Sequence, residues 1–280
     1  MKIIKSYNNS HPIIYLIATP IGNLGEFSPR AIEIIKEMDF LGAEDTRNTN
    51  DLLHKFNISK KIISLREHNE IEASEQVIKS VLEGKKFAYM SDAGYPGISD
   101  PGSLLVKKAI ENNIAISVIS GSSAFINALV SSSLPTDHFY FHGFLSPKEN
   151  EAKKELEELK TKKETLIFYE APHRIETTLN LIHEILGNRH FSLQRELTKL
   201  NEEKLYGTLD EVSSIDFALL KGEMVIVVEG NTSEEEFSTK FIKEKVNFFI
   251  NKGLSKKDAI DVVAETYNIK KNKIKDIIIL

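Results

Sequence analysis

The stretch best suited to holding a ligand is Ser91-Asp92-Ala93-Gly94-Tyr95-Pro96-Gly97-Ile98-Ser99-Asp100-Pro101-Gly102. Three glycines and two prolines fall between Gly94 and Gly102. Such a loop turns sharply and lets a ligand approach the backbone without meeting a Cβ, although a plain structural turn has the same composition. A second loop, Ser120-Gly121-Ser122-Ser123-Ala124, opens an apolar helix whose first N–H groups can meet a polar or anionic group. Polar clusters then recur at the ends of short apolar runs: Glu44-Asp45-Thr46-Arg47, Arg66-Glu67-His68-Asn69-Glu70, Glu170-Ala171-Pro172-His173-Arg174 and Arg195-Glu196-Leu197-Thr198-Lys199. Carboxylates and imidazoles can move protons, and guanidinium groups can hold phosphates. Each cluster has a structural reading too. Glu44-Asp45-Thr46 suits a helix N-cap, His68 a hydrogen-bonded loop, and Arg174 an ion pair with Glu170 or Glu196. No His/Asp/Glu spacing demands a metal, and no phosphate-binding Gly-Lys-Ser/Thr motif occurs.

These clusters need strands and helices to place them. Ile13–Ala18, Phe40–Ala43, Ile62–Ser64, Phe87–Met90 and Ile114–Ile119 are short apolar runs that read as buried strands. Between them the apolar spacing is helical, with Ser28-Pro29 as an N-cap and first-turn proline. Strand and helix alternate throughout, so the sheet is expected to be largely parallel with its loops along one edge. Ser131-Ser132-Ser133-Leu134-Pro135 reads as a break, followed by a second α/β unit with strands at Phe139–Phe141, Leu166–Tyr169, Phe191–Gln194 and Met224–Val228. Lys204–Thr208 reads as a hairpin strand, and a helical tail starts at Glu234-Glu235-Glu236, with pieces at Phe237–Ile250, Ser255–Tyr267 and Lys270–Ile279. The expected domains are 12–132, 133–232 and 233–280, the last resembling a helix-turn-helix module.

A chain of 280 residues with 41% hydrophobic content can bury a sizeable core. It has no cysteine, which excludes disulfides, thiolate metal sites and cysteine nucleophiles. Met1 to Pro12 is polar and contains no signal-peptide core, and no apolar run approaches the ~18 residues of a membrane span. A soluble, cytoplasmic chain with no membrane partner is expected. The net charge of −5 hides an asymmetry: residues 237–280 hold ten lysines against five acids, leaving −10 on the preceding 236 residues. A basic tail on an acidic body suggests an anionic partner; a lysine-rich solvated surface is the other reading.

Eight motifs in order carry a family resemblance. They are Thr19-Pro20-Ile21-Gly22-Asn23-Leu24, Ala43-Glu44-Asp45-Thr46-Arg47, Glu67-His68-Asn69-Glu70, Ser91 to Gly102, Leu134-Pro135-Thr136-Asp137, Phe168 to Arg174, Arg195 to Lys199, and Gly222-Glu223. Together they resemble the ribosomal RNA small subunit methyltransferase I family within the tetrapyrrole-methylase-like superfamily, from about Ile13 to the C-terminus. The resemblance implies an α/β fold: two α/β domains of the tetrapyrrole methylase type with a small helical C-terminal domain. It implies S-adenosylmethionine-dependent methylation of a cytidine ribose 2′-oxygen in the decoding region of 16S rRNA in the small ribosomal subunit, with the cofactor between the two domains and a homodimer as the assembly. A tetrapyrrole methyltransferase and a non-catalytic RNA-binding relative are the alternatives.

Carried over position by position, the cofactor shell would comprise Ile21, Tyr95, Ile98, Ser123 and Ala124, with Tyr169, Glu196 and Glu223 from the second domain. In-line methyl transfer rests on alignment at near-attack distance, and a weakly acidic hydroxyl gains from a nearby base. At strand ends expected to face the cleft, Glu44, Asp45, His68 and Glu170 are the catalytic candidates, with Glu70 and His173 as further ones, and Arg47, Arg174 and Lys199 are the expected phosphate holders. Two positions depart from the family's usual pattern. Tyr95 stands where a threonine is usual, and Ser120-Gly121-Ser122-Ser123-Ala124 replaces Pro-Gly-Pro-Ser-Ala. Loss of the prolines frees backbone conformers, and a tyrosine can line or crowd the cleft.

Overall fold

The computed structural model describes residues 2–6, 12–232, 238–267 and 269–279. Met1 and residues 7–11 of the polar N-terminal stretch lie outside the described residues, as do Glu234-Glu235-Glu236 and Phe237 of the expected tail start. Two compact units are present, Met1–Asn231 and Thr232–Leu280. Among the described residues no helix is long and apolar enough to cross a membrane.

In the first unit the apolar runs form β1 (Ile13–Ile17), β2 (Phe40–Ala43), β3 (Lys61–Ser64), β4 (Phe87–Met90) and β5 (Ala115–Ile119). They pair in the order β3-β2-β4-β1-β5, and every pair is parallel. The intervening helices are α1 (Pro29–Glu37), α2 (Thr46–Lys55), α3 (Glu70–Leu82) and α4 (Ser103–Glu111). Ser28 caps α1 as expected, its hydroxyl accepting the Ala31 N–H at 3.1 Å. Period-two alternation splits β4 between two cores: Phe87 and Tyr89 pack with Val77 of α3 and Leu105 of α4, while Ala88 and Met90 pack with Ile35 of α1 and Leu53 of α2. Helices cover both faces, which is why the central strands β2 and β4 are buried at every position rather than alternating. All strands point the same way, so the loops after β4, β1 and β5 emerge side by side.

Helix α5 (Ala124–Val130) leads to a second sheet made of β6 (Phe139–Phe144), β7 (Thr165–Glu170), β8 (His190–Arg195), β9 (Glu203–Thr208) and β10 (Met224–Val228). Helices α6 (Glu149–Leu159) and α7 (Ile175–Leu186) join its first strands. Its order is β6-β7-β10-β8-β9. Here the expectation of a largely parallel sheet is corrected: β6–β7 is parallel, but β10 runs antiparallel to β7 and β8, and β8–β9 is an antiparallel hairpin. The physical reason is the connection. A parallel return needs a crossover, usually a helix, and none follows β8 or β9; only short 3-10 turns at Leu209–Ser214 and Phe217–Leu219 precede β10.

The same alternation gives the second sheet two faces. Leu166, Phe168 and Ile226 pack on α6 and α7, while Ile167, Val225 and Val227 face Ala128 and Leu129 of α5. Helix α5 follows directly on the first sheet yet lies in the core of the second, and Ile21 and Leu197 join the same cluster. Gln194, fully buried on β8, fixes the end of α5 by donating to the Ala128 carbonyl at 2.8 Å and accepting from the Ser131 hydroxyl at 2.8 Å.

The second unit consists of α8 (Thr239–Asn251), α9 (Lys256–Thr266) and α10 (Lys271–Ile279) around Ile242, Val246, Ile260, Val263 and Ile274. Ser238 and Ser255 cap α8 and α9.

Candidate functional site

A cavity of about 300 Å³ opens where the two sheets of the first unit meet. The β1 loop contributes Ile21, the β4 loop Gly94, Tyr95, Ile98 and Asp100, and the β5 loop Ser123 with Ala124 at the start of α5. The second sheet contributes Phe144 of β6, Tyr169 and Glu170 of β7, Leu197 after β8, and Glu223, Met224 and Val225 around β10. Met224 pairs with both Glu170 and Arg195, so antiparallel register gathers the loop ends of β7, β8 and β10 at one edge.

The glycine-rich loop is laced to its neighbours. Thr19 and Gly94 exchange backbone hydrogen bonds at 2.9 and 3.1 Å, joining the β1 and β4 loops. The Ser91 hydroxyl donates to the Gly94 carbonyl at 2.8 Å, and Gly94 itself sits at φ +80°, where a side chain is strained. Gly121 donates its N–H to the Tyr95 hydroxyl oxygen at 3.2 Å, and the Ser122 hydroxyl donates to Glu26 at 2.5 Å. At the far end Glu70 of α3 accepts the N–H groups of Gly102 (2.9 Å) and Leu104 (3.2 Å), capping α4.

Ile21, Tyr95, Ile98, Ser123, Ala124, Tyr169 and Glu223 of the expected cofactor shell all line this cavity; Glu196 does not. Its carboxylate accepts from Lys199 at 2.9 Å and from the Glu223 N–H at 3.3 Å, which holds it below the usual glutamate range. Gly222, at φ +85°, lies so close under Glu196 that any Cβ there would collide with the carboxylate. Leu197, not singled out from the sequence, takes the wall position instead.

Two of the expected catalytic residues, Asp45 and Glu170, are engaged in structural bonds. Asp45 caps α2, accepting the Arg47 N–H at 2.9 Å and its guanidinium at 3.1 and 2.7 Å; these bonds hold its proton affinity far below the ordinary aspartate value. Glu170 is buried with both oxygens engaged: one accepts from Thr178 at 2.5 Å, the other from the Ala171 N–H at 2.8 Å, with the Arg174 Nε at 3.6 Å. Arg174 also donates to the Leu145 and Ser146 carbonyls, so it ties β6 to β7 rather than standing ready for phosphate. Lys199 is likewise committed, to Glu196 and Glu223; burial works against its ammonium, but these bonds outweigh it and raise its proton affinity. His68 and His173 are exposed and do not line the cavity. Arg47 remains a candidate phosphate contact, with 84% of its side chain exposed.

One residue was missed. Asp100 lines the cavity, and burial together with the charges of Glu44 and Asp92 pushes its carboxyl up to about 7. Glu44 is itself raised by burial and by Asp92. Asp92 is pinned by the Asp45 N–H (3.1 Å) and Asn48 (2.7 Å). Across the cavity burial pushes the Tyr169 hydroxyl up to about 12. The lining holds three carboxylates and, among the described residues, no lysine or arginine. Apolar walls with that charge suit a cationic ligand that has a nucleoside part, and oppose a polyphosphate. S-adenosylmethionine fits this description: Ile21, Ile98, Tyr169 and Leu197 provide apolar surface, strand-end backbone provides polar groups, and the carboxylates tolerate a sulfonium.

Comparison with known proteins accords with this geometry. The family model "Tetrapyrrole (Corrin/Porphyrin) Methylases" matches residues 13–213. The fold is shared with the methyltransferase CobJ (TM-score 0.58, 16% identity, 82% of this chain and 98% of that one) and with uroporphyrin-III-C-methyltransferase from Thermus thermophilus (TM-score 0.54, 15% identity, 77% and 94%). Among curated proteins, "Ribosomal RNA small subunit methyltransferase I" of Halalkalibacterium halodurans is 44% identical over 99% of both chains, and its namesake in Bacillus subtilis is 41% identical over 94% of this chain and 93% of that one. The chain belongs to this family, the ribosomal RNA small subunit methyltransferase I branch of the tetrapyrrole methylases.

Proposed function

We propose that this protein transfers a methyl group from S-adenosylmethionine to the ribose 2′-oxygen of a cytidine in the decoding region of 16S rRNA. The carrying observation is near-full-length similarity to proteins named for small-subunit rRNA methylation. The cavity supports it by its size, apolar walls and carboxylate lining. When bound, the cofactor supplies an electrophilic methyl on a sulfonium. The chain's own residues hold and align: Ile21, Tyr95, Ile98, Ser123 and Ala124 form one wall, and Tyr169, Leu197 and Glu223 the other. Such alignment is the main source of help in an in-line displacement. Arg47, whose side chain is largely exposed, contacts the RNA backbone, as do lysines of the 233–280 module. The functional divisions are 12–132, 133–232 and 233–280; the protein works as a homodimer in the cytoplasm, where small subunits are made.

Small ribosomal subunits, free 16S rRNA and porphyrinogens are offered with labelled methyl donor, and 2′-O-methyl sites are mapped in the RNA. Methyl incorporation at one decoding-region cytidine is the expected result. Incorporation into the porphyrinogen alone would assign the chain to the tetrapyrrole chemistry of its structural neighbours. Light scattering tests the dimer.

A further inference from the structure

We propose that Asp100 is the group that accepts the proton from the substrate hydroxyl, an assignment that rests on the 2′-O-methyl transfer proposed above. Three carboxylates line the cavity. Glu170 is locked by Thr178, Ala171 and Arg174, and Glu223 is paired with Lys199 at 3.2 Å. Asp100 differs: among the described residues its carboxylate has neither a hydrogen-bond donor nor a cation at bonding distance. It sits on the loop that also supplies Tyr95 and Ile98, with Tyr169 of the second sheet in electrostatic reach.

Four groups interact electrostatically with Asp100. They are Glu44 at the end of β2, Asp92 in its own loop, Tyr89 of β4 and Tyr169 of β7. Two of them are carboxylates, and Asp92 is held in place by the Asp45 N–H and the Asn48 side chain of α2. Like charges and burial favour the protonated carboxyl, so its proton exchanges near neutrality. A base is most effective when its proton affinity lies near the working pH. Asp45, held far below that range, and Glu170, already fully hydrogen-bonded, do not meet this condition.

The step balances. A hydroxyl lone pair forms the new O–CH3 bond, the S–CH3 bond breaks with its electron pair retained by sulfur, and the O–H proton passes to the Asp100 carboxylate. A sulfonium and a carboxylate become a thioether and a carboxylic acid, so no other reactant is needed.

The test pairs methyl transfer to small subunits with calorimetric binding of S-adenosylmethionine. In the wild type, kcat/KM for the cofactor rises with pH through a midpoint near 7, because that parameter reports the free protein. Asp100→Asn is expected to slow single-turnover transfer at least ~100-fold and to abolish the pH limb. Its cofactor Kd should stay within about threefold of wild type, below the ~1.4 kcal/mol of a tenfold change. Asp100→Glu retains a carboxylate and a pH limb with a displaced midpoint, which serves if the asparagine variant does not fold. The assignment is overturned if Asp100→Asn keeps its rate, if its loss appears in Kd and not in the rate of the bound complex, or if Asp100→Glu leaves the midpoint unmoved. A wild-type protein that binds the cofactor but leaves small subunits unmethylated removes the 2′-O reading itself, and the assignment with it.

Discussion

The Tyr95 hydroxyl oxygen accepts the Gly121 N–H at 3.2 Å, a bond between the two loops that depart from the family's usual sequence. The departures therefore meet. One side-chain bond from the β4 loop restrains the β5 loop where two prolines are missing, and Ser122 adds a second restraint through Glu26. The tyrosine lines the cleft and braces it rather than crowding it.

Tyr95→Phe removes this bond and keeps the ring. A neutral hydrogen bond contributes roughly 0.5–1.5 kcal/mol, so the Kd for S-adenosylmethionine should rise about three- to tenfold by calorimetry. An unchanged Kd would show that the β5 loop keeps its shape without Tyr95.

Glu70 was a catalytic candidate by position and is a helix cap by geometry. Glu70→Ala should lower stability by roughly 1–2 kcal/mol, and Glu70→Gln, which keeps an acceptor oxygen, by much less. Thermal unfolding separates them. Equal losses in both variants would argue that the charge itself matters more than the cap.

Glu170 is expected to hold structure and not to move protons. Glu170→Ala, which strands the Thr178 hydroxyl and the Ala171 N–H, should cost roughly 2–3 kcal/mol. Glu170→Gln should keep transfer within about tenfold, since the amide oxygen still accepts the Ala171 N–H and the amide N–H can donate to the Thr178 hydroxyl in place of the bond it accepted. Only the charge towards Arg174 is lost. Loss of transfer in Glu170→Gln with an unchanged melting temperature would return Glu170 to the reaction.

Asp100 also makes stability depend on pH. Its folded-state proton affinity, about 7, lies above the unfolded value of 3.8, so the folded state holds the proton more tightly between them. That contribution is fully present below the unfolded value and is lost as pH rises through the folded one. Asp100→Asn is free of this loss, so its advantage in melting temperature over wild type should be larger at pH 8 than at pH 5. The side chain is partly exposed and screened, which limits the gap to a few degrees, or ~1–2 kcal/mol. An identical gap at both pH values would show that Asp100 ionises in the folded protein as it does in a peptide.

The first sheet was legible because its central runs, Phe40–Ala43 and Phe87–Met90, are buried on both faces and amphipathic helices separate the strands. The pairing of β10 was not legible. Met224–Val228 announces a buried strand, but its antiparallel insertion between β7 and β8 depends on pairing with residues as far off as Leu166 and Arg195. The cavity walls were located because glycines and prolines mark loops that approach ligands. The chemistry of the carboxylates was harder, since a strand-end position says nothing about which donors fold back onto a side chain. Asp45 and Glu170 found donors nearby in the sequence; Glu70 found Gly102 and Leu104 more than thirty residues on. Asp100 was passed over because its loop was read for backbone alone.

The strand order also dictates when the first sheet can form during synthesis. Among the described residues strand β1 pairs only with β4 and β5, so Ile13–Ile17 is made first and waits until Phe87–Met90 and Ala115–Ile119 follow. Strands β2 and β3, joined by one helix, can pair while β1 has no partner. At ~5–20 residues per second the ribosome exposes this apolar segment for several seconds. The opening strand thus emerges well before its partners, and the β1–β4 and β1–β5 pairings that support the cavity wait for Phe87–Met90 and Ala115–Ile119 to be made.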